Sequence, residues 1–261
     1  RAEVVRQEAQ FDLVMLGLTA GSLQFSGLEE QGHYAVRGVL ASGGILAFLR
    51  KVSYDARVNG RVVEGAYRPA RYAERADTGK RVSEAVMEYP RGVPKVVSYN
   101  PPREPQKNDV DPATQGGTVD PLTALYATLQ DVAPGKECQV TVPMFDGRRS
   151  SRLSISAPVA EGDQVTCQGE YRRIAGFSDK DMAEKTRFPF TLTYAPAPDG
   201  RMRVMLVEME TLYGPARLVR ACLRACSPSR CDPHRSAAPP RRGAARPAPA
   251  GWGCRSPGAG C

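Results

Sequence analysis

The sequence predicts a mainly β domain over residues 1–220: a curved antiparallel sheet or partial β-barrel with one packed helix near 120–131. Two patterns carry this reading. Segment after segment alternates apolar and polar residues with a period of two, as strands with one wet face do. Turn signals rich in Gly, Asp and Pro separate them at hairpin spacing, which favours a curved sheet over a parallel α/β fold.

The first strands are Phe11–Met15 and Leu23–Phe25, joined through Gly17–Gly21. His33–Leu40 and Lys51–Val58 alternate again, and Gly43–Arg50 between them reads as a short helical or loop connection. Strands are expected at about 61–68, 70–76, 81–89 and 94–99, broken by Asp77-Thr78-Gly79 and Pro90-Arg91-Gly92. Pro101–Val119 reads as a long surface loop. The clearest helix follows: Asp120 can cap it, Pro121 suits its first position, and Leu122, Leu125, Tyr126 and Leu129 form one apolar stripe. It should lie against the sheet. Strands near 137–145 and 150–157 join through Asp146-Gly147, a hairpin signal, and another runs over 163–174. Ser178–Lys185 could form a short helix, and strands at Phe188–Tyr194 and Arg201–Thr211 complete ten to twelve strands.

The tail, 221–261, has no periodic segment and is built from Ala, Arg, Pro, Gly, Ser and Cys; it is expected to be disordered. A frameshifted end would explain its composition, and a native flexible tail is the alternative. Seven arginines against Asp232 give this tail +6 of the formal net charge of +8, leaving about +2 on the rest. The domain therefore lacks the basic footprint of a nucleic-acid binder. The 41% hydrophobic content suffices for a real core. Ile45–Leu49, the longest apolar run, is far short of the ~20 residues that a membrane-crossing helix needs. The chain opens at Arg1 with no leader, so an export signal is expected to lie outside it or to have been removed.

The signatures Gly17-Leu18-Thr19-Ala20-Gly21, Asp77-Thr78-Gly79-Lys80-Arg81, Asp111 through Leu122, Phe145-Asp146-Gly147-Arg148-Arg149, Glu170 through Phe177 and Leu212-Tyr213-Gly214-Pro215-Ala216-Arg217 together resemble the bacterial domain-of-unknown-function 3108 family in its alphaproteobacterial form. The resemblance covers roughly residues 8–220. It implies export and a periplasmic or envelope-associated home, and it brings no enzymatic activity with it.

Within the domain only Cys138 and Cys167 occur, and in an oxidising compartment they read as a disulfide; two buried free thiols are the alternative. In a flat three-strand meander the outer strands lie nearly 10 Å apart, beyond the ~7 Å limit for a bridge. The bond then requires the middle strand to end early, at Ala157-Pro158, or a different strand order. In the tail, Cys222, Cys226, Cys231 and His234 mimic a zinc set, but only the first spacing fits and prolines interrupt the loops. No metal or cofactor is expected.

Asp77-Thr78-Gly79 is formally the aspartic-protease tripeptide, but it is flanked by Arg75, Lys80 and Arg81 and sits at a hairpin, where a turn is the better reading. His33 is the domain's lone histidine, and no G-x-S-x-G elbow, P-loop or dinucleotide fingerprint accompanies it. The chain is not expected to be an enzyme; a cleft with several carboxylates, or His33 with a perturbed pKa, would favour a hydrolase. Arg148, Arg149, Arg172 and Arg173 read either as a solvated face pairing with Glu170 or as an anion or lipid-headgroup contact at the mouth of the sheet. In the second case Arg148 and Arg172, with Phe25, Tyr54 and Phe190, would line a ligand site, and Phe11 and Phe188 are further candidates. The leading expectation is a monomeric, non-catalytic envelope protein that binds a lipid or other amphipathic ligand. A structural or protein-interaction module is the alternative, distinguished by a concave face filled with its own side chains.

Overall fold

The structure, a computed structural model, describes residues 4–43, 51–212 and 214–221. The expected connection at 43–50 beyond Gly43, and the expected tail with its zinc-like cysteines, lie outside the described residues. Among these the chain forms β1 (Val4–Met15), β2 (Leu18–Glu30), β3 (His33–Ser42), β4 (Ser53–Val63), β5 (Ala66–Asp77), β6 (Val82–Glu88), β7 (Lys95–Asn100), α1 (Pro121–Leu129), β8 (Val140–Phe145), β9 (Ser150–Glu161), β10 (Gln164–Ala175), α2 (Asp179–Glu184), β11 (Arg187–Pro196), β12 (Met202–Thr211) and β13 (Gly214–Arg220). All thirteen strands join one antiparallel sheet in the order β7-β6-β5-β4-β3-β2-β1-β13-β12-β11-β10-β9-β8. It is thus two meanders side by side, sealed where β1 pairs with β13, with Phe11 opposite Arg220 and Met15 opposite Ala216. The fold class is the one the alternation predicts.

The boundaries differ in several places. Arg68-Pro69 does not end a strand: the turn falls at Glu64-Gly65, and Pro69 lies inside β5 at a register shift opposite Asn59 and Gly60, where its missing N–H interrupts no regular ladder. A further strand, β13, follows β12 and begins at Gly214. The first hairpin turns tightly at Leu16-Gly17, so β2 starts at Leu18 rather than after Gly21. Elsewhere the local chemistry holds. Gly79 N donates to Asp77 Oδ1 at 2.8 Å in the β5–β6 turn, and the N–H groups of Arg148 and Arg149 donate to Asp146 Oδ1 in the β8–β9 turn. Ser178 caps α2 by accepting from Asp181 N.

Helix α1 crosses from the first meander to the second through the inside of the curl. Asp120 caps it as expected, accepting from Thr123 N at 2.9 Å and from Thr123 Oγ1 at 2.6 Å. The expected one-sided stripe is exceeded: Thr123, Ala124, Ala127 and Thr128 are buried along with Leu122, Tyr126 and Leu129. A helix buried all round is enclosed, not laid on a surface. Glycines on β2 and β3 make the room. A Cβ at Gly27 would stand 2.4 Å from Tyr126 Cε2, and one at Gly38 would stand 2.5 Å from Leu122 Cδ1.

Cys138 and Cys167 are bonded, with Cα atoms 5.4 Å apart. Neither condition expected for the bond is met, because β8, β9 and β10 are neighbours in sequence order and β9 runs on to Glu161. Instead β8 begins only at Val140, after Cys138 has turned through a positive φ of 61°. Opposite Cys167, β9 bulges at Ala157, φ 54°, as its pairing shifts between Thr166 and Gln168. Cys138 thereby passes beneath β9 into the core.

Two outcomes are expected in urea denaturation. Replacing both cysteines by serine should cost about 3 to 4 kcal/mol, the loop entropy of a 29-residue separation. Gly38→Ala should cost about 1–3 kcal/mol by overpacking. In the Leu122→Ala background its cost should shrink, since the clashing methyl group is gone; strict additivity would mean that Leu122 and Gly38 do not touch.

Candidate functional site

The inner face of the sheet is the core. Phe11, Phe25, Phe145, Phe190, Leu192 and Tyr194 from both meanders belong to one buried cluster with Leu122, Tyr126 and Leu129 of α1. Phe25 meets Tyr126 edge-on at 5.6 Å between ring centroids, and Tyr126 meets Tyr67 at 5.7 Å. Helix and aromatics together occupy the concave face of the sheet.

The polar groups inside are bound to one another. At the N-terminal end of α1 a chain of hydroxyls runs from Tyr34 Oη to Thr123 Oγ1, 2.8 Å apart, and on to the fully buried Asp120 carboxylate. Burial pushes the Asp120 carboxyl up to about 6, against the hydrogen bonds from Thr123. Nearby, Tyr89 Oη is buried without a hydrogen-bond partner among the described residues. Beside the C-terminal end, Glu29 Oε1 accepts from Tyr67 Oη at 2.6 Å and from Tyr126 Oη at 3.1 Å. Just past the helix, the buried Asp131 carboxylate bridges Arg203 and Arg220, each at 2.9 Å. Gln7 of β1 accepts from Asp131 N at 2.6 Å.

Concavities lie at the rims and on the outer face. A pocket of about 490 Å³ opens at the rim where α1 begins, with Leu40, Tyr54 and Tyr99 beside Glu74, Arg103 and Arg148. Burial raises the Glu74 carboxyl, and Tyr72 Oη donates to it at 2.5 Å. The other carboxylates there, Glu84 and Asp146, take Asn100 Nδ2 and the turn N–H groups respectively. A wider trough of about 690 Å³ lies on the outer face of β1–β5, lined by Arg6, Glu8, Ser26, Arg37, Arg57 and Arg71. His33 is exposed at the opposite rim from Arg148.

The expected site residues are dispersed. Tyr54 and Arg148 do meet, at the rim pocket, where Arg148 Nε donates to Asp109 Oδ1 at 3.2 Å and Nη2 to Gln106 Oε1 at 3.0 Å. Phe25 and Phe190 are core residues. Phe11 is likewise buried, and Phe188 lies beneath the guanidinium of Arg173 at 4.9 Å. The four arginines do not form one patch, because alternate residues of a strand face opposite ways. Arg173 takes the inner face of β10 with Tyr171 and donates to Asp181 O at 2.6 Å. Arg172 takes the outer face, and the partner of Glu170 is Arg187. Sequence reasoning missed the Asp131 bridge and the tyrosines around the helix. Only strand order brings Gln7, Arg203 and Arg220 to one seam.

A match to the family described as "Protein of unknown function (DUF3108)" runs over residues 10–219. Compared with the curated proteins, the chain matches none. Among solved structures it is similar to the crystal structure of a beta-barrel-like protein of domain of unknown function DUF1849 from Brucella abortus, at 12% identity and a TM-score of 0.45, over 83% of this chain and 96% of that one.

The buried Asp120 gives a pH dependence with a definite sign. Its folded pKa of about 6 exceeds the ordinary 3.8, so folding takes up a proton. Its contribution is therefore full below about pH 4 and is lost as pH rises through about 6. In Asp120→Asn, which keeps an oxygen cap, stability should fall less between pH 4 and pH 7 than in the unaltered chain. The difference should be up to about 3 kcal/mol by denaturant titration; equal falls would mean that Asp120 does not titrate there.

Proposed function

The chain belongs to the family described as "Protein of unknown function (DUF3108)", and from that premise we propose that it is a non-catalytic structural or protein-interaction module of the cell envelope. The observation that carries the proposal is the occupied concave face: α1 lies where a bound chain would lie, with Tyr126 and Leu122 seated against Gly27 and Gly38. A lipid carrier needs that space empty.

Export is supported by the bond between Cys138 and Cys167, since cytosolic thiols are kept reduced. Among the described residues no helix is long and apolar enough to cross a membrane. The non-catalytic reading draws on how the inner carboxylates are used: Glu29, Asp120 and Asp131 each hold a neighbouring element in place. Of the three carboxylates at the rim pocket, Glu84 and Asp146 are tied into the edge and the turn.

A second reading keeps a ligand at the rim, where Tyr54 and Tyr99 adjoin Arg103 and Arg148. A pocket of about 490 Å³ suits a small amphipathic anion, and Pro121 stands at its lining where α1 begins.

Native mass spectrometry of the full chain purified from the periplasm discriminates these. The bare mass of a monomer is expected, unchanged by lipid extraction; an adduct that disappears on extraction would restore the carrier. Peptide mapping after alkylation in intact cells should find Cys138 and Cys167 blocked until reductant is added. Free alkylation of both would overturn the assignment to an oxidising compartment.

A further inference from the structure

Several exposed arginines on this sheet face a carboxylate across the strand pair: Arg71 faces Glu88, Arg75 faces Glu84 and Arg217 faces Glu208, and each pair is salt-bridged. Arg37 stands opposite Arg57, but Asp55 holds it with two hydrogen bonds. Such pairing is what two neighbouring strands favour, and like charges directly opposite are unfavourable.

Two sites depart from this pairing: Arg61 of β4 faces Arg68 of β5 as a single exposed pair, and three arginines stand in a row across β9–β11. Arg172 of β10 is directly opposite Arg152 of β9 on one side and Arg187 of β11 on the other. All three take the outer face, since Ser151, Tyr171 and Phe188 beside them take the inner one. Glu170 supplies one carboxylate and is bonded to Arg187 at 3.3 Å. Among the described residues neither Arg152 nor Arg172 has an ion pair or side-chain hydrogen bond. Arg172 is half-buried, which weakens the screening that makes exposed like charges tolerable.

We propose that this row, Arg152–Arg172–Arg187, is a binding site for a phosphate-class oxyanion, carried either by a free phosphate or by a phospholipid headgroup. Guanidinium forks bind phosphate oxygens two at a time, and three adjacent forks present more donors than one carboxylate can accept. A dianion there also removes the repulsion that the register imposes. The site lies on the outer face, away from the rim pocket, and does not depend on the interaction-module reading.

The test uses the full chain at fixed low ionic strength, with chloride exchanged for inorganic phosphate. Phosphate raises melting temperatures generally, so the quantity read is the difference between proteins. The unaltered chain should gain more than Arg172→Gln or Arg152→Gln, while Arg217→Gln, which removes a paired arginine, should keep the full gain. In chloride Arg172→Gln should melt no lower than the parent. Equal gains in all four proteins would overturn the proposal. Flotation with phosphatidylglycerol vesicles separates the sources, the basic tail being common to every variant. Several-fold weaker flotation of Arg172→Gln assigns a headgroup, and a phosphate shift without any difference in flotation assigns a free anion.

Discussion

A helix with almost no exposed face has to be enclosed, and here the sheet itself encloses it. Seven of the nine residues of α1 are buried, and they belong to a core drawn from both meanders. The helix lies within the connection between those meanders, from β7 to β8. Two glycines set how closely the sheet wraps, because any side chain at Gly27 or Gly38 would collide with Tyr126 or Leu122. Curvature, core and crossover are therefore one constraint. The sheet curls as far as the helix permits, and α1 remains helical in the apolar interior because its backbone groups bond internally and Asp120 caps its open end.

The two ends of the helix are held differently. At the start a single buried carboxylate serves as cap and takes Thr123 Oγ1, and Tyr89 Oη nearby has no hydrogen-bond partner among the described residues. This end carries a cost in charge burial that the hydrogen bonds offset only in part. At the finish Asp131 meets two arginines, and its backbone is gripped by Gln7 and Arg201. Those partners come from β1, β12 and β13 or their flanks, the strands that flank the seam between meanders. The bridge thus fixes the helix to the strand pairing, β1 with β13, that joins the two meanders. Breaking a buried pair on one side strands the other charge, so the seam is protected by a strongly asymmetric penalty.

Much of this was legible locally. Period-two alternation marks the strands, Asp120-Pro121 announces the helix, and Asp77, Asp146 and Ser178 each make the turn or cap that their chemistry implies. What was not legible depends on long-range placement. Thr123 and Thr128 lie off the expected apolar stripe, yet they are buried, Thr123 bonding Asp120 and Thr128 bonding back to Ala124 O. The bulge at Ala157 that brings Cys138 under β9 is a deformation that a flat meander lacks. Arg172 and Arg173 are adjacent in sequence and face opposite ways, so a basic cluster in the sequence divides into an inner stack and an outer row.

That division bears on where recognition can occur. Inside, Glu29, Asp120 and Asp131 are engaged in holding α1 and the segment that follows it, and the helix's apolar side chains belong to the buried cluster. Among the described residues the concavities lie at the rims and on the outer face. There, balanced charge says little by itself, because a neutral domain can be neutral in two ways: every charge matched locally, or matched in most places and unmatched in one. Arg71, Arg75 and Arg217 are of the first kind, each opposite a carboxylate in register. Against that background the row at Arg172 is a local excess set by strand register, and register is fixed by which face of β10 must be buried. Sliding β10 by one residue to relieve the repulsion would expose Cys167 and turn Arg172 inward. The core therefore imposes the arrangement that leaves these charges unmatched at the surface.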